Sequence, residues 1–202
     1  MKILCIKGSP RKRANSTALL EKLSLGAESA GAQVRVITPW KLQIAPCLAC
    51  NRCFDSGRCA VQDDFQTVYD QILACDALVL ATPVYFGAVS AQIKPLIDRC
   101  ESFWVVRYIL DESLPPGPSG EQRKGVLIAT AGQDREIMFR GVRTTFDFLM
   151  RCLQGEVSAE LLYGDLDERD PVRINAKALE RAFEVGRSLA LGTEADRLRV
   201  QV

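Results

Sequence analysis

The feature that most constrains how this chain can fold is an alternation: five short apolar runs, each followed by a stretch with helical spacing. Residues 3–6 (ILCI) form the first run, which ends at Gly8. Leu19, Leu20, Leu23 and Ala27 then recur on one helix face, and Gly31 supplies a stop. Residues 34–37 make the second run. Asp63 and Asp64 open a helical pattern of Phe65, Val68, Ile72 and Leu73, and acids in a first turn suit the helix dipole. Residues 77–81 (ALVLA) make the third run, ended by Thr82 and Pro83. Ser90 stands where it can cap a helix carrying Ile93, Leu96, Ile97 and Phe103. The fourth run, 125–130 (GVLIAT), precedes a helix over 138–153; the fifth, 157–163, precedes a closing helix over 174–191.

Short runs this apolar, separated by helices, are strands buried on both faces, which means a parallel sheet. Right-handed crossovers then put helices on both sides. With five strands the expected architecture is an α/β, flavodoxin-like three-layer sandwich with strand order 2-1-3-4-5. In that order ligands sit beyond the carboxyl ends of the strands, where the winding reverses between the first and third. The loops beginning at Gly8, Thr82 and Ala131 must build the site.

At 202 residues the chain suits a single domain over 1–202. A formal net charge of +1 gives no broad footprint for nucleic acid or an anionic membrane. The apolar run near the start is too short for a signal peptide or a membrane span, so a cytoplasmic location is expected. Thiols stay reduced there, and a dense cysteine group reads as metal-binding or redox-active. The chain has no histidine. That removes Ser-His and Cys-His nucleophile pairs and His-ligated zinc, and leaves catalysis to a cofactor or to carboxylate, Lys, Tyr or Cys chemistry.

Between the first strand and its helix the chain reads GSPRKRANST, residues 8–17. A helix N-terminus with Ser9, Arg11, Asn15, Ser16 and Thr17 around it is a phosphate cradle. It is neither a Walker loop nor a GxGxxG turn, which points to a terminal monophosphate rather than a pyrophosphate. The plainer reading is a capped polar turn beside a solvated basic run. After the third strand, TPVYFG places Tyr85 and Phe86 where a planar ring can rest on them, and Gly87 allows close backbone approach. Both rings packing on the next helix is the alternative.

These two stretches, GSPR…NS and TPVYFG…S-AQ-K…DR, resemble the NAD(P)H-dependent FMN reductases of the flavodoxin-like proteins over most of residues 1–165. The resemblance implies FMN, with its phosphate on Ser9, Arg11, Asn15, Ser16 and Thr17. It implies a ring against Pro83, Val84, Tyr85, Phe86 and Gly87, with Thr130, Ala131, Gly132 and Gln133 at its edge. It also implies an NAD(P)H-dependent oxidoreductase and a homodimer or homotetramer. Ala14 departs from the pattern, since relatives often carry Gly before the Asn.

Residues 46–60 hold Cys47-x2-Cys50-x2-Cys53-x5-Cys59. Structural zinc more often pairs two separated CxxC knuckles, whereas overlapping cysteines suit an iron–sulfur loop. Gly57 and the turn-forming Asp55-Ser56 let the chain double back to Cys59. In this setting the loop resembles that of the iron–sulfur flavoproteins, which implies a [4Fe–4S] cluster on Cys47, Cys50, Cys53 and Cys59. Electron transfer would then couple a two-electron donor, NAD(P)H, to one-electron steps, or run in reverse from ferredoxin. A cluster-free NAD(P)H:FMN or quinone reductase and a zinc-knuckle interaction module are the alternatives.

Cys5, Cys75, Cys100 and Cys152 fall on expected core faces and read as small apolar fillers. Asp63 and Asp64 read as a helix cap, and Asp98 as half of an ion pair. Trp40 and Trp104 flank the cysteine loop and an aromatic helix end. The Pro/Gly-rich loop 111–122 can serve as a lid, a subunit contact or a plain surface loop.

Overall fold

The computed structural model describes residues 1–166 and 174–193. Its strands are β1 (Lys2–Lys7), β2 (Gln33–Ile37), β3 (Ala77–Pro83), β4 (Lys124–Thr130) and β5 (Glu156–Tyr163). They pair in parallel in the order β2-β1-β3-β4-β5, as the alternation predicts. Six α-helices are described: α1 (Asn15–Ser29), α2 (Phe65–Leu73), α3 (Lys94–Arg99), α4 (Glu101–Tyr108), α5 (Glu136–Cys152) and α6 (Ala176–Leu191).

Side chains alternate across the sheet with the two-residue period of a strand. Leu4, Ile6, Leu78, Leu80 and Leu127 join Phe65, Ile72, Phe103 and Phe146 from α2, α4 and α5 in one core. Ile3, Cys5, Val79, Val126 and Ile128 face the other way, onto Leu19 and Leu23 of α1 and Ala182 and Val185 of α6. The second layer is unusually close-packed at one crossing. A Cβ on Gly26 would lie 1.9 Å from the Phe183 carbonyl oxygen, and one on Gly186 would lie 1.9 Å from that of Leu23. The α1 and α6 backbones touch because neither glycine has a side chain to hold them apart.

Three sequence expectations change. The pattern across residues 90–108 is two helices, α3 and α4, which break at Cys100. Ser90 does not cap with its side chain; its hydroxyl donates to the Gly8 carbonyl at 2.7 Å, while its own carbonyl accepts from Lys94 N–H. The loop 111–122 is no lid, because it is fastened at the amino ends of the strands, opposite the predicted site. Ser119 N–H donates to Asp76 just before β3, and Arg123 donates to the Pro115 carbonyl. Arg123 itself is 3% exposed, and also donates to the Leu73 and Leu153 carbonyls at the ends of α2 and α5. A cation at two helix C-termini complements both dipoles.

Candidate functional site

The carboxyl ends of β1, β3 and β4 are knotted together by backbone bonds. Gly8 N–H donates to the Ala81 carbonyl, Val84 N–H to that of Thr130, and Ala131 N–H to that of Tyr163. A Cβ on Gly8 would stand 2.7 Å from Ala81 O, so only glycine fits at this crossing. The three loops thereby surround a cavity of about 340 Å³.

One wall comes from the start of α1. Ser9, Arg11, Asn15 and Ser16 line it, Arg11 being exposed and both serines 1% exposed. Ser9 Oγ accepts from Arg11 N–H, which tightens the turn. The first intrahelical bond is Ala18 N–H to the Ala14 carbonyl, so the amides ahead of it lie at the dipole's positive end. Ala14 has φ −151° and ψ 150°, an extended conformation open to any residue, which explains why alanine suffices there. Asn15 Oδ1 accepts from Ile174 N–H, and so ties α1's start to the approach of α6. Thr17 does not line the cavity; it is buried, and its Oγ1 has no hydrogen-bond partner among the described residues.

The facing wall is Pro83, Val84, Tyr85 and Phe86. Tyr85 and Ala88 exchange backbone bonds at 3.0 Å both ways, closing a tight turn with φ 51° at Phe86 and 72° at Gly87. A phenylalanine in the left-handed region is strained by about 1 kcal/mol or more, and this ring is fully exposed. Gly87 is not a lining residue; its carbonyl abuts Gly141 of α5, where a Cβ would come within 2.2 Å. Thr130, Ala131, Gly132 and Gln133 close the end of the cavity. Met138 and Leu166 also line it, and the sequence patterns did not single them out.

Cys47, Cys50, Cys53 and Cys59 share a separate depression of about 30 Å³. The loop turns through Ala49 (φ 48°), Asn51 (φ 57°) and Gly57 (φ 70°), and Gly57 N–H donates to the Cys53 carbonyl. Burial pushes the Cys53 thiol up, and Cys59, Cys47 and Cys50 nearby add to that push. Among the described residues no group of three Cys, Asp or Glu side chains stands close enough to hold a metal ion, zinc or iron alike. The four thiols are soft donors of the type that bind iron–sulfur clusters, whose cysteines occupy separate corners.

Arg99, which closes the TPVYFG…DR stretch but had no role assigned from the sequence, lies against this depression. It is 1% exposed. Its guanidinium donates to both oxygens of Asp63, to the Ala45 and Val61 carbonyls, and to Cys59 Sγ. Asp63 also accepts from Phe65 N–H and Ala45 N–H, and Asp64 from Gln43 N–H, so the acid pair anchors the cysteine loop as well as opening α2. Burial would raise the Asp63 carboxyl, but the bonds from Arg99, Ala45 and Phe65 outweigh it and hold the group below the ordinary carboxylate value. Asp98 pairs with Lys94, as expected. Trp104 lines a groove that shares Cys47 with the depression, and Trp40 is not among its lining residues. Burial drives the Cys5 thiol up to about 12 and that of Cys75 up to about 11, and raises that of Cys100, so these three behave as fillers. Cys152 is only half-buried.

Residues 1–157 match the model of the NADPH-dependent FMN reductase family. An iron–sulfur flavoprotein of Methanocaldococcus jannaschii is 34% identical over 151 residues, covering 74% of this chain and 71% of that protein. A second from the same organism is 36% identical over 99 residues, 49% of this chain and 51% of that protein. The chain thus spans about half the length of several of the curated relatives it matches. Among solved structures, an NAD(P)H:quinone oxidoreductase from Methanothermobacter marburgensis superposes with a TM-score of 0.67 at 18% identity, over 94% of this chain and 98% of that one. At that identity the likeness speaks for the fold alone. Family match, strand order and the position of the cavity agree: this chain belongs to the NADPH-dependent FMN reductase family.

Proposed function

We propose that this protein is an FMN-dependent oxidoreductase that draws electrons from NAD(P)H, or from ferredoxin, and passes them on through a [4Fe–4S] cluster. The observation that carries the reading is the meeting of three loops around one cavity at the reversal of the sheet, hydroxyl-lined on one wall and aromatic on the other. FMN, when bound, would supply the hydride and single-electron chemistry that protein side chains do not provide.

The residues fit that cofactor. Ser9, Arg11, Asn15 and Ser16, which line the cavity, would hold its phosphate at the start of α1; Thr17 lies behind them, and its hydroxyl, without a hydrogen-bond partner among the described residues, would be a further donor if the turn opened to it. Pro83, Val84, Tyr85 and Phe86 would support the ring, with Gly87 closing the turn that presents them, and Thr130 to Gln133 would bound its edge. The exposed Phe86 leaves one side open to an incoming nicotinamide, a quinone or a second copy of the chain in a homodimer or homotetramer. Cys47, Cys50, Cys53 and Cys59 would hold the cluster. The iron–sulfur flavoprotein names of several relatives support this assignment.

Anaerobic purification followed by a visible spectrum and an iron and sulfide assay tests the reading. One FMN with about four irons and four sulfides per chain is expected. Flavin without iron would leave the second reading, a cluster-free NAD(P)H:FMN or quinone reductase, which the family description favours. A protein that binds no flavin at all would end both.

A further inference from the structure

We infer that Arg99 is the positioning residue for Cys59, and that its Nε–H···Sγ bond helps to set the reduction potential of the group the four thiols hold. This rests on the cluster reading above. Arg99 Nε lies 3.0 Å from Cys59 Sγ, well inside hydrogen-bond range for sulfur. Of the five N–H donors of an arginine, the other four go to Asp63, Ala45 and Val61. Ala45 precedes the first cysteine of the loop and Val61 follows the last, so one side chain ties both ends of the loop to α3. Its plane lies over the Phe65 ring, 4.6 Å from the centroid, which fixes the guanidinium from below. With every donor committed and the side chain buried, the Nε–H direction is set by the protein, not by solvent.

The chemical consequence follows from charge. Adding one electron to the thiolate-held group breaks no bond and moves no proton; it adds negative charge that is shared with the sulfurs. A buried N–H dipole aimed at one of those sulfurs favours the reduced form, and hydrogen bonds to sulfur are among the features that set such potentials. A lysine at this position keeps the positive charge opposite Asp63 but cannot reproduce the planar fork.

The test is potentiometric titration with dithionite, followed by EPR, on anaerobically reconstituted protein. Arg99→Lys is expected to make reduction about tenfold less favourable, the scale of one charge-assisted hydrogen bond, which is about 59 mV lower for one electron. Asp63→Asn keeps the Nε–H donor and removes a nearby negative charge, so its potential is expected to stay or rise. A purely structural role for Arg99 predicts no such opposition of sign. FMN content equal to that of the unaltered protein shows that each variant has folded. Without any variant, pulsed EPR of reduced protein labelled with 15N-arginine should show coupling to an arginine nitrogen. An unaltered protein that loads iron and sulfide but shows no such coupling overturns the proposal alone, as does an Arg99→Lys potential that matches it. An unaltered protein that takes up no iron removes the cluster reading, and this inference with it.

Discussion

Ser90 Oγ donates to the Gly8 carbonyl oxygen over 2.7 Å, and that bond joins the loop after β3 to the loop after β1 behind the cavity. Ser90 is completely buried. Its N–H donates to Thr82 Oγ1, whose own hydroxyl donates to the Pro83 carbonyl, so the seam is a chain of bonds rather than one contact. Ser90→Ala leaves a buried carbonyl short of a partner and is expected to cost about 1–3 kcal/mol of stability. It should also weaken FMN binding, since both walls of the cavity depend on this seam. Urea unfolding and flavin fluorescence titration read the two effects. Unchanged flavin affinity would mean that the backbone bonds alone hold the loops in place.

The contact of α1 with α6 predicts a larger effect from a smaller change. Gly186→Ala puts a methyl group 1.9 Å from the Leu23 carbonyl oxygen, and neither backbone can move without opening the core beneath. A loss of roughly 2 kcal/mol or more is expected, beyond the gain in helix propensity that alanine brings. Gly192→Ala is the comparison. That glycine ends α6 at φ 66° with no atom of the described residues within 4 Å of its would-be Cβ, so its loss is expected to reflect backbone strain, about 1 kcal/mol. Thermal unfolding of both variants separates close packing from strain.

The sheet order and both walls of the cavity could be read from the sequence because they rest on local signals: apolar runs of strand length, glycine at Gly8, and aromatics just past β3. Arg99 escaped because its role depends on what lies across the fold. A signal was present. Ile93, Leu96 and Phe103 mark the buried face of α3 and α4, and Arg99, three residues after Leu96, falls on that face. An arginine on a core face needs a carboxylate partner, and Asp63 was the acid in excess of what a helix cap requires. Thr17 differs again. Its helical position was evident, but only the fold shows that its hydroxyl is buried with no hydrogen-bond partner among the described residues.

The Asp63–Arg99 pair gives the protein an acid-sensitive joint. The folded-state carboxyl sits below its ordinary value, so its contribution is fully present above the unfolded carboxylate pKa, near about pH 4, and fades as pH falls through the lower folded value. Asp76 adds in the same direction. Burial would raise it, but donation from Lys2 N–H, Ser119 N–H and the Ser119 side chain, with the nearby N-terminus, holds it low. Stability measured by urea midpoint should therefore fall steeply below about pH 4. Asp63→Asn should be about 3 kcal/mol less stable at neutral pH, because it leaves the buried Arg99 without its counter-charge, and should show a shallower acid slope. A variant whose acid slope matches that of the unaltered protein would assign the acid sensitivity to other carboxylates.

Thr17→Val offers a prediction in which stability and binding move in opposite directions. Valine has nearly the shape of threonine but no hydroxyl. Without ligand, the threonine buries an oxygen that has no hydrogen-bond partner among the described residues, a penalty of about 1–3 kcal/mol. Removing it should leave the ligand-free protein as stable as before or more so. If the hydroxyl donates to the FMN phosphate, the same change removes one charge-assisted bond and weakens FMN by about tenfold. Ser16→Ala, on the cavity wall beside it, should weaken FMN without any gain in ligand-free stability. Paired unfolding curves with and without saturating FMN read both quantities at once, because a ligand that binds only the folded state adds stability according to its affinity. A valine variant that loses ligand-free stability and keeps full affinity would place the Thr17 hydroxyl in the packing of α1 and outside the phosphate cradle.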